Sequence, residues 1–278
     1  MSFKQNPFNQ LFHCLCILCT LSATLFAQRE EPTFEELSSP LITGGKLTRS
    51  TEAVRIAVES PGEKGQIHIP RFAAPLQSVA WLGDSSGEPA PTVTPEQEHW
   101  IVKWTSQPAN STTIELKFDA KPALIDETIP VEAVGDGSIL LPAHLARTQG
   151  EKVRYEPQSF KNTVGYWTGK QDQATWQFQV AGPAKFNVGI LQGCGKGHGG
   201  SSARFEFSRI GLNGQPQKVS ELDFEVLETG HFQNFQWRHV GTIQIEQGGQ
   251  YSLRLAPIHI AKAALMDIRA IHLVKLPE

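Results

Sequence analysis

Short segments in which apolar and polar residues alternate recur along most of the chain, separated by clusters of Gly, Pro and Ser. In residues 174–180, Trp176, Phe178 and Val180 fall on one face of an extended chain, with glutamines on the other. A period of two residues is typical of a strand with one buried face. The pattern therefore predicts an all-β protein whose strands pack against facing sheets.

A Pro-containing, extended connector near residues 121–131 divides these segments into two groups. The first group, 41–125, has strand and turn signals at short intervals, which predicts a small β-sandwich. The second group, 132–278, has enough strand-like segments for a jelly roll. The acidic, Pro-containing segment 28–40 is expected to be a linker. Two β-sandwich domains are thus expected after the first 40 residues.

The N-terminus has the features of a secretory signal peptide, predicted to span residues 1–27. Lys4 is followed by an apolar run at 11–21 and by small residues near Ala27. The run is short for a retained membrane anchor, the alternative, and His13 interrupts it. We therefore expect a secreted or periplasmic protein with no transmembrane segment in its mature chain.

Cysteine content and charge narrow the function classes. Three of the four cysteines lie within the predicted signal peptide, so the mature chain keeps only Cys194 and forms no internal disulfide. The formal net charge is -3 and no basic cluster is present, so nucleic acid is not an expected partner.

Two loops rich in Gly and polar residues, 191–201 and 228–235, stand between strand-like segments. The first lacks the spacing of a phosphate-binding loop, and no helix pattern follows it. Between the two loops lie two strands joined by a turn, and such a hairpin returns the chain to the end it left. The loops are therefore predicted to be neighbours, with His198 and His231 on one rim. Loops that only turn the chain are the alternative.

Several motifs of the second group resemble those of a known module: Tyr155-Glu-Pro, residues 162–167 (Asn-Thr-Val-Gly-Tyr-Trp), residues 191–197, residues 229–234 and Met266-Asp-Ile-Arg. They are similar to the galactose-binding-like, carbohydrate-binding β-sandwich appended to secreted bacterial sulfatases and glycosidases such as α-L-fucosidases. The resemblance implies a jelly-roll fold and an accessory, non-catalytic role for about half the chain. We expect no catalytic domain of those enzymes within these 278 residues.

Saccharide recognition needs an aromatic face for the sugar ring and planar polar groups for its hydroxyls. The candidate ligand-binding residues in and near the two loops are Tyr166, Trp167, His198, His231, Gln233, Asn234 and Trp237. The alternative for the aromatic pair is packing beneath the loops, and for the polar residues it is hydrogen bonding to loop backbone.

Metal binding and catalysis receive less support. Cys194, His198 and His231 lack the paired spacing of a zinc site. A structural calcium is compatible with the sequence, because carbonyl ligands leave little trace in it. No catalytic residues are predicted, since no nucleophile motif surrounds Cys194 and no carboxylate pair stands out.

The sequence therefore predicts a secreted, non-catalytic protein that binds carbohydrate or a carbohydrate-active enzyme. A structural or protein-interaction module of the cell envelope is the second hypothesis. An orphan hydrolase that uses Cys194 is the third.

Overall fold

The computed structural model describes residues 32–60 and 65–277. Within these ranges the regular elements are β-strands and two 3-10 turns, Ile125–Glu127 and Ala143–Leu145, with no α-helix. The predicted all-β class is confirmed. The predicted signal peptide, 1–27, lies outside the described residues. None of the described residues forms a helix long and apolar enough to cross a membrane.

The first eight strands form an N-terminal half: β1 (Glu35–Leu37), β2 (Gly45–Arg49), β3 (Ala53–Val58), β4 (Gln66–Pro70), β5 (Leu76–Trp81), β6 (Thr92–Pro95), β7 (His99–Lys103) and β8 (Thr113–Phe118). One sheet has the order β1-β2-β3-β8-β5, and a second has the order β4-β7-β6. Phe72 packs against Trp100 and Phe118 with ring-centroid distances of 5.8 and 5.5 Å. All three rings are buried, so they form the aromatic centre of this half.

The remaining strands form a C-terminal half: β9 (Ile139–Pro142), β10 (Arg147–Gln149), β11 (Arg154–Glu156), β12 (Thr163–Gly165), β13 (Gln173–Val180), β14 (Ala184–Gly193), β15 (Ser202–Ile210), β16 (Pro216–Glu225), β17 (Gln236–Ile245), β18 (Gly249–His259) and β19 (Asp267–Lys275). One sheet has the order β10-β13-β18-β15-β16. The other has the order β11-β12-β19-β14-β17, with β9 also pairing with β19. The long neighbouring strands pair antiparallel.

The alternation read from the sequence decides which side of each strand is buried. On β13, Trp176, Phe178 and Val180 are buried, whereas Gln179 is exposed. Tyr251, Leu253 and Leu255 do the same on β18, which pairs with β13. Burial of these apolar faces stabilises the two sheets by roughly 1.5–3 kcal/mol per large side chain.

The structure differs from the sequence-based expectation in the segment 28–40. Within it, Glu35–Leu37 forms β1, which pairs with β2 through Glu35–Arg49, Glu36–Thr48 and Leu37–Leu47. The Arg49 guanidinium donates to the Glu35 carboxylate, and the Leu37 side chain is buried. An acidic strand is therefore held at this sheet edge by one arginine and one apolar contact.

No sheet of the described chain contains strands from both halves, and the change occurs after the predicted connector. The cores are nevertheless continuous, and Phe34 onward forms one compact unit. The buried Arg71 of the N-terminal half donates to the carbonyl oxygens of Ala146 (2.8 Å) and His144 (3.1 Å). Its guanidinium also lies 5.0 Å from the centre of the Tyr155 ring. The two halves thus share a packed and hydrogen-bonded interface.

Candidate functional site

The two Gly-rich loops meet at one end of the C-terminal half, as predicted. The Cys194 N–H donates to the Thr229 hydroxyl (2.8 Å), and the Thr229 N–H donates to the Cys194 carbonyl (3.0 Å). Gly195 and Gly230 form a parallel bridge, and the Gly197 N–H donates to the Glu228 carboxylate (2.6 Å). The hairpin of β15 and β16 places both loops at the end it starts from.

Glycine in the first loop permits this close approach. A Cβ atom at Gly193 would lie 1.9 Å from the Phe232 carbonyl oxygen, and one at Gly195 would lie 2.7 Å from the Phe232 ring. Real Cβ atoms essentially never approach other heavy atoms that closely, so these positions require glycine for the present contact between the loops. This part of the loop therefore serves packing rather than ligand contact.

Beside the second loop lies a cavity of about 240 Å³, which we call the loop pocket; it is lined by Glu156, Lys161, Tyr166, Thr168, Phe232, Gln233, Ala264 and Asp267. Three of its lining residues lie at or next to the end of a strand. Glu156 ends β11, Tyr166 follows β12, and Asp267 begins β19. Val164 of β12 pairs with Tyr155 of β11 on one side and with Ile268 of β19 on the other, so Glu156 and Asp267 each lie one residue from this shared position.

Two buried carboxylates form the polar floor of the loop pocket. Glu156 is 3% exposed and Asp267 is 6% exposed. A Cβ atom at Gly165 would lie 2.8 Å from an oxygen of each, so both carboxylates cover the Gly165 backbone and only glycine leaves them room. Lys161 forms an ion pair with Glu156. The Gln233 side chain faces the Asp267 carboxyl group as a hydrogen-bond partner.

The surroundings of Asp267 change its acidity. Burial, and then repulsion by Glu156, raise its pKa to about 8, while Lys161 and the Gln233 amide oppose the shift. Desolvation disfavours the charged form of a carboxyl group. At neutral pH the empty pocket therefore favours the protonated form of Asp267.

Tyr166 provides an aromatic wall. It has a φ of +59°, which is uncommon for a residue with a side chain, and it is 42% exposed. The Arg154 guanidinium carbon lies 3.5 Å from the ring centroid, and the Lys161 ammonium nitrogen lies 5.9 Å from it. A strained backbone that persists indicates that its surroundings hold it in place.

The structure brings two of the predicted ligand residues, Tyr166 and Gln233, to the loop pocket. Trp167 corrects the expectation for its position. It is completely buried, and its indole N–H donates to the Val164 carbonyl (3.0 Å), so its ring face is not available to a ligand. With the positive φ at Tyr166, the Tyr166 ring points outward and the ring of the next residue, Trp167, is buried.

The polar candidates are largely engaged within the loops. His231 is exposed, and its Nδ1 accepts from the Gln233 N–H (3.1 Å). The Asn234 amide donates to the Thr229 carbonyl. His198 is half-buried and packs edge-on against the Phe232 ring at 5.2 Å. These three residues shape the loops next to the pocket but do not line it.

Trp237 lies elsewhere. It is on β17, 53% exposed, beside a shallow groove of about 300 Å³ on the six-stranded sheet that is lined by Asn187, Gly189, Trp237, Arg238, His239, His272 and Val274. The groove and the loop pocket share no lining residue. The aromatic candidates Tyr166 and Trp237 therefore belong to different surfaces.

Sequence reasoning missed Glu156, Lys161 and Asp267 as site residues, although Glu156 and Asp267 stand in the motifs of the resemblance. The available signal was a charged residue within an apolar run, as in Leu265-Met-Asp-Ile268. Such a residue is buried if the run is a core strand, and a buried charge requires a partner.

Cys194 does not have the surroundings of a nucleophile. Its side chain is buried, and burial, followed by the charges of Glu228 and Asp267, raises the pKa of the thiol to about 11. Its sulfur lies 3.9 Å from the Gly195 carbonyl oxygen and 4.0 Å from that of Leu265. Reactive cysteines instead have a lowered pKa and some exposure. The geometry thus gives the hydrolase hypothesis no support.

Within residues 32–60 and 65–277, no three His, Cys, Asp or Glu side chains are grouped as a metal site would require. At the Glu156 and Asp267 pair, the Lys161 ammonium already supplies positive charge. A calcium held mainly by carbonyl oxygens stays a prediction.

Neither a family model nor a curated protein matches the chain. Similar solved structures include a family 35 carbohydrate-binding module from Clostridium thermocellum, with 12% identity over 50% of this chain and 98% of that one, and a TM-score of 0.36. Another such module, from Cellvibrio japonicus, has 13% identity over 49% of this chain and 92% of that one, and a TM-score of 0.37. An α-L-fucosidase from Vibrio sp. strain EJY3 has 15% identity over 86% of this chain but 41% of its own length, and a TM-score of 0.31. Likenesses of this degree establish no function.

Proposed function

We propose that this protein binds carbohydrate, without chemistry, at the loop pocket of its C-terminal half. The observation that supports the proposal most is the Asp267 carboxyl group, 6% exposed and lining the loop pocket, beside the exposed Tyr166 ring. A carboxyl group and sugar hydroxyls can exchange hydrogen bonds as donor and acceptor. The Tyr166 and Phe232 rings offer apolar faces to the carbon side of a sugar ring.

The size of the pocket sets the size of the ligand. Its volume, about 240 Å³, lies just below the roughly 300–1,000 Å³ that drug-sized ligands occupy. One sugar ring within a longer chain suits this space better than several rings do. The resemblance of the motifs at Tyr155-Glu-Pro and Met266-Asp-Ile-Arg to a galactose-binding-like module points to the same class of ligand.

The proposed role is an accessory one, in a secreted or periplasmic protein. The predicted signal peptide supports a secreted or periplasmic protein, and the buried, protonated thiol of Cys194 supports the absence of chemistry. Mass spectrometry of the mature protein is expected to find a chain that begins near Gln28. An intact N-terminus would contradict secretion but not binding.

The binding site is tested by a glycan array followed by calorimetry on three variants. Tyr166→Ala keeps the strained backbone position but removes the ring, and Asp267→Asn removes the carboxylate. We expect Tyr166→Ala to weaken binding of the best array ligand by about tenfold to a hundredfold. We expect Asp267→Asn to change affinity as well, because it alters the hydrogen-bonding floor.

Trp237→Ala is the matched control, since it removes an exposed aromatic ring from the separate groove. Affinity within about twofold of the wild type is expected for it. Loss of binding in Trp237→Ala with normal binding in Tyr166→Ala would move the site to the groove. If the wild type binds no glycan on the array, the proposed function is wrong.

A further inference from the structure

Only one of the two carboxyl groups in the loop pocket has a cation partner. Glu156 has a cation partner in Lys161, whereas Asp267 has none among the described residues. The two nearby arginines point to other groups. Arg154 stacks on the Tyr166 ring, and Arg269 stacks on Phe235 at 3.9 Å and donates to the Lys161 carbonyl (2.6 Å).

Building on the proposed function, we infer that the loop pocket selects a sugar that carries a free ammonium group, which forms an ion pair with the Asp267 carboxylate. A neutral hydroxyl would offer Asp267 a hydrogen bond but no counter-charge. An ammonium group supplies both, and charge-assisted hydrogen bonds are about twice as strong as neutral ones. Beside an uncharged ligand Asp267 keeps its proton, so such a ligand gains a neutral hydrogen bond there but no ion pair.

The aromatic walls act in the same direction. Arg154 covers one face of the Tyr166 ring. The other face, and the face of the Phe232 ring, are negative and attract a cation that lies within about 6 Å of them. Glu156, which is 3% exposed, is also negative, but its charge is already paired with Lys161. Lys161 repels a ligand ammonium, so we expect the amino group to enter on the Asp267 side of the pocket.

Ion pairing at Asp267 has a proton balance that can be measured. Because burial and Glu156 raise its pKa to about 8, Asp267 holds a proton in the empty pocket at pH 6.5. An adjacent ammonium favours the carboxylate, so this proton leaves to the buffer as the ion pair forms. Among the charged groups that face Asp267, Glu156 opposes its ionisation and Lys161 assists it. Binding therefore releases a proton.

The test compares two trisaccharides of equal length, the glucosamine trimer and its fully N-acetylated form, by calorimetry on the mature protein at pH 6.5. We expect the wild type to prefer the glucosamine trimer by about tenfold or more. The enthalpy of that binding should depend on the ionisation enthalpy of the buffer, since phosphate and an amine buffer take up the released proton with different heats. The acetylated trimer should show no such dependence.

Asp267→Asn keeps the size and shape of the side chain and is expected to reduce the preference to about twofold or less. Glu246→Gln removes one negative charge from an exposed turn after β17 and should retain the full preference. Equal or tighter binding of the acetylated trimer by the wild type, or an enthalpy independent of buffer, would overturn the inference. If neutral glycans still bind and Tyr166→Ala abolishes that binding, the proposed function stands while this inference fails.

Discussion

At the scale of single residues, Asp267 holds a carboxyl group where its charge is poorly solvated. Its folded-state pKa is raised from 3.8 to about 8. A raised pKa means that the folded chain binds this proton more tightly than the unfolded chain does. The contribution of Asp267 to stability is therefore fully present below about pH 4 and is lost as the pH rises to about 8. Ionisation of Asp267 therefore opposes the stability of the fold.

Asp267→Asn should remove this pH dependence. We expect the free energy of unfolding of the variant to exceed that of the wild type by an amount that grows from pH 5 to pH 8, by at most about 1.4 kcal/mol per pH unit. Urea unfolding followed by tryptophan fluorescence measures the difference at each pH. Parallel curves for the two proteins would show that Asp267 ionises normally.

Two features keep that measurement interpretable. Burial lowers the pKa of His144 from 6.5 to about 4, so its contribution falls as the pH drops from about 6.5 to 4, opposite in sign to that of Asp267. The contribution of His144 cancels when the free energy of unfolding of the wild type is subtracted from that of the variant at each pH, because both proteins contain His144. Glu246→Gln, which alters an exposed carboxylate, should follow the wild type at every pH.

Tyr166 and Trp167 show what single-residue reasoning from the sequence leaves open. Both residue types suit a ligand site, but the direction in which each side chain points depends on the positive φ at Tyr166. Periodicity predicts sides only where the backbone is regular. Whether a ring is outside or buried at such a turn is decided by the packing around it, here by Arg154 on the Tyr166 ring and by Val164 at the Trp167 indole.

At the scale of elements, Gly193 ends β14 directly against the second loop. An added Cβ would meet the Phe232 carbonyl oxygen at 1.9 Å, and a backbone atom cannot move aside as the end of a flexible side chain can. The two loops can therefore make this contact only because Gly193 has no Cβ atom.

Gly193→Ala is expected to destabilise the protein by about 1–3 kcal/mol, the range for overpacking, and to weaken ligand binding because Phe232 and Gln233 shift. Gly189→Ala on the same strand is the control, since its Cβ would meet its nearest neighbours at 3.6 Å, an ordinary contact. Thermal unfolding and calorimetry should find Gly189→Ala close to the wild type. Similar effects of the two substitutions would argue against a tight contact between the loops.

The elements were predicted better than the pocket they build. Alternation identified strands such as β13 and β18, and the hairpin rule placed the two loops at one end, because both rest on local geometry. The loop pocket needs the strands β11, β12 and β19 side by side, and β11 and β19 are more than a hundred residues apart in the chain. Nothing local in the sequence specifies that pairing. The edge strand β1 was missed for a related reason, because its partner Arg49 compensates an acidic sequence that resembles a linker.

At the scale of the whole molecule, the sheets separate into two halves while the core does not. Besides Arg71, the Gln158 amide of the C-terminal half donates to the Val93 carbonyl (3.1 Å), and the Leu76 N–H donates to the Pro157 carbonyl (2.9 Å). The Trp100 and Tyr155 rings are 6.5 Å apart across the same interface. Tyr155 directly precedes Glu156 of the loop pocket, so the N-terminal half supports the strand that carries one wall of the site.

This interface predicts cooperative unfolding that depends on Arg71. The guanidinium is buried, and burial lowers its pKa to about 10, so it stays charged at neutral pH and its two bonds to the His144 and Ala146 carbonyls are charge-assisted. In scanning calorimetry we expect the wild type to show one transition whose van't Hoff and calorimetric enthalpies agree. Arg71→Met should cost about 2–4 kcal/mol, since it leaves two buried carbonyls without a donor, and should split the transition into two.

Arg55→Met, which breaks the ion pair with Glu115 inside the N-terminal half, should cost less than about 1 kcal/mol and keep the single transition. Two transitions already present in the wild type would mean that the halves unfold independently. A single transition in Arg71→Met would mean that the remaining hydrogen bonds and the apolar packing couple them without Arg71.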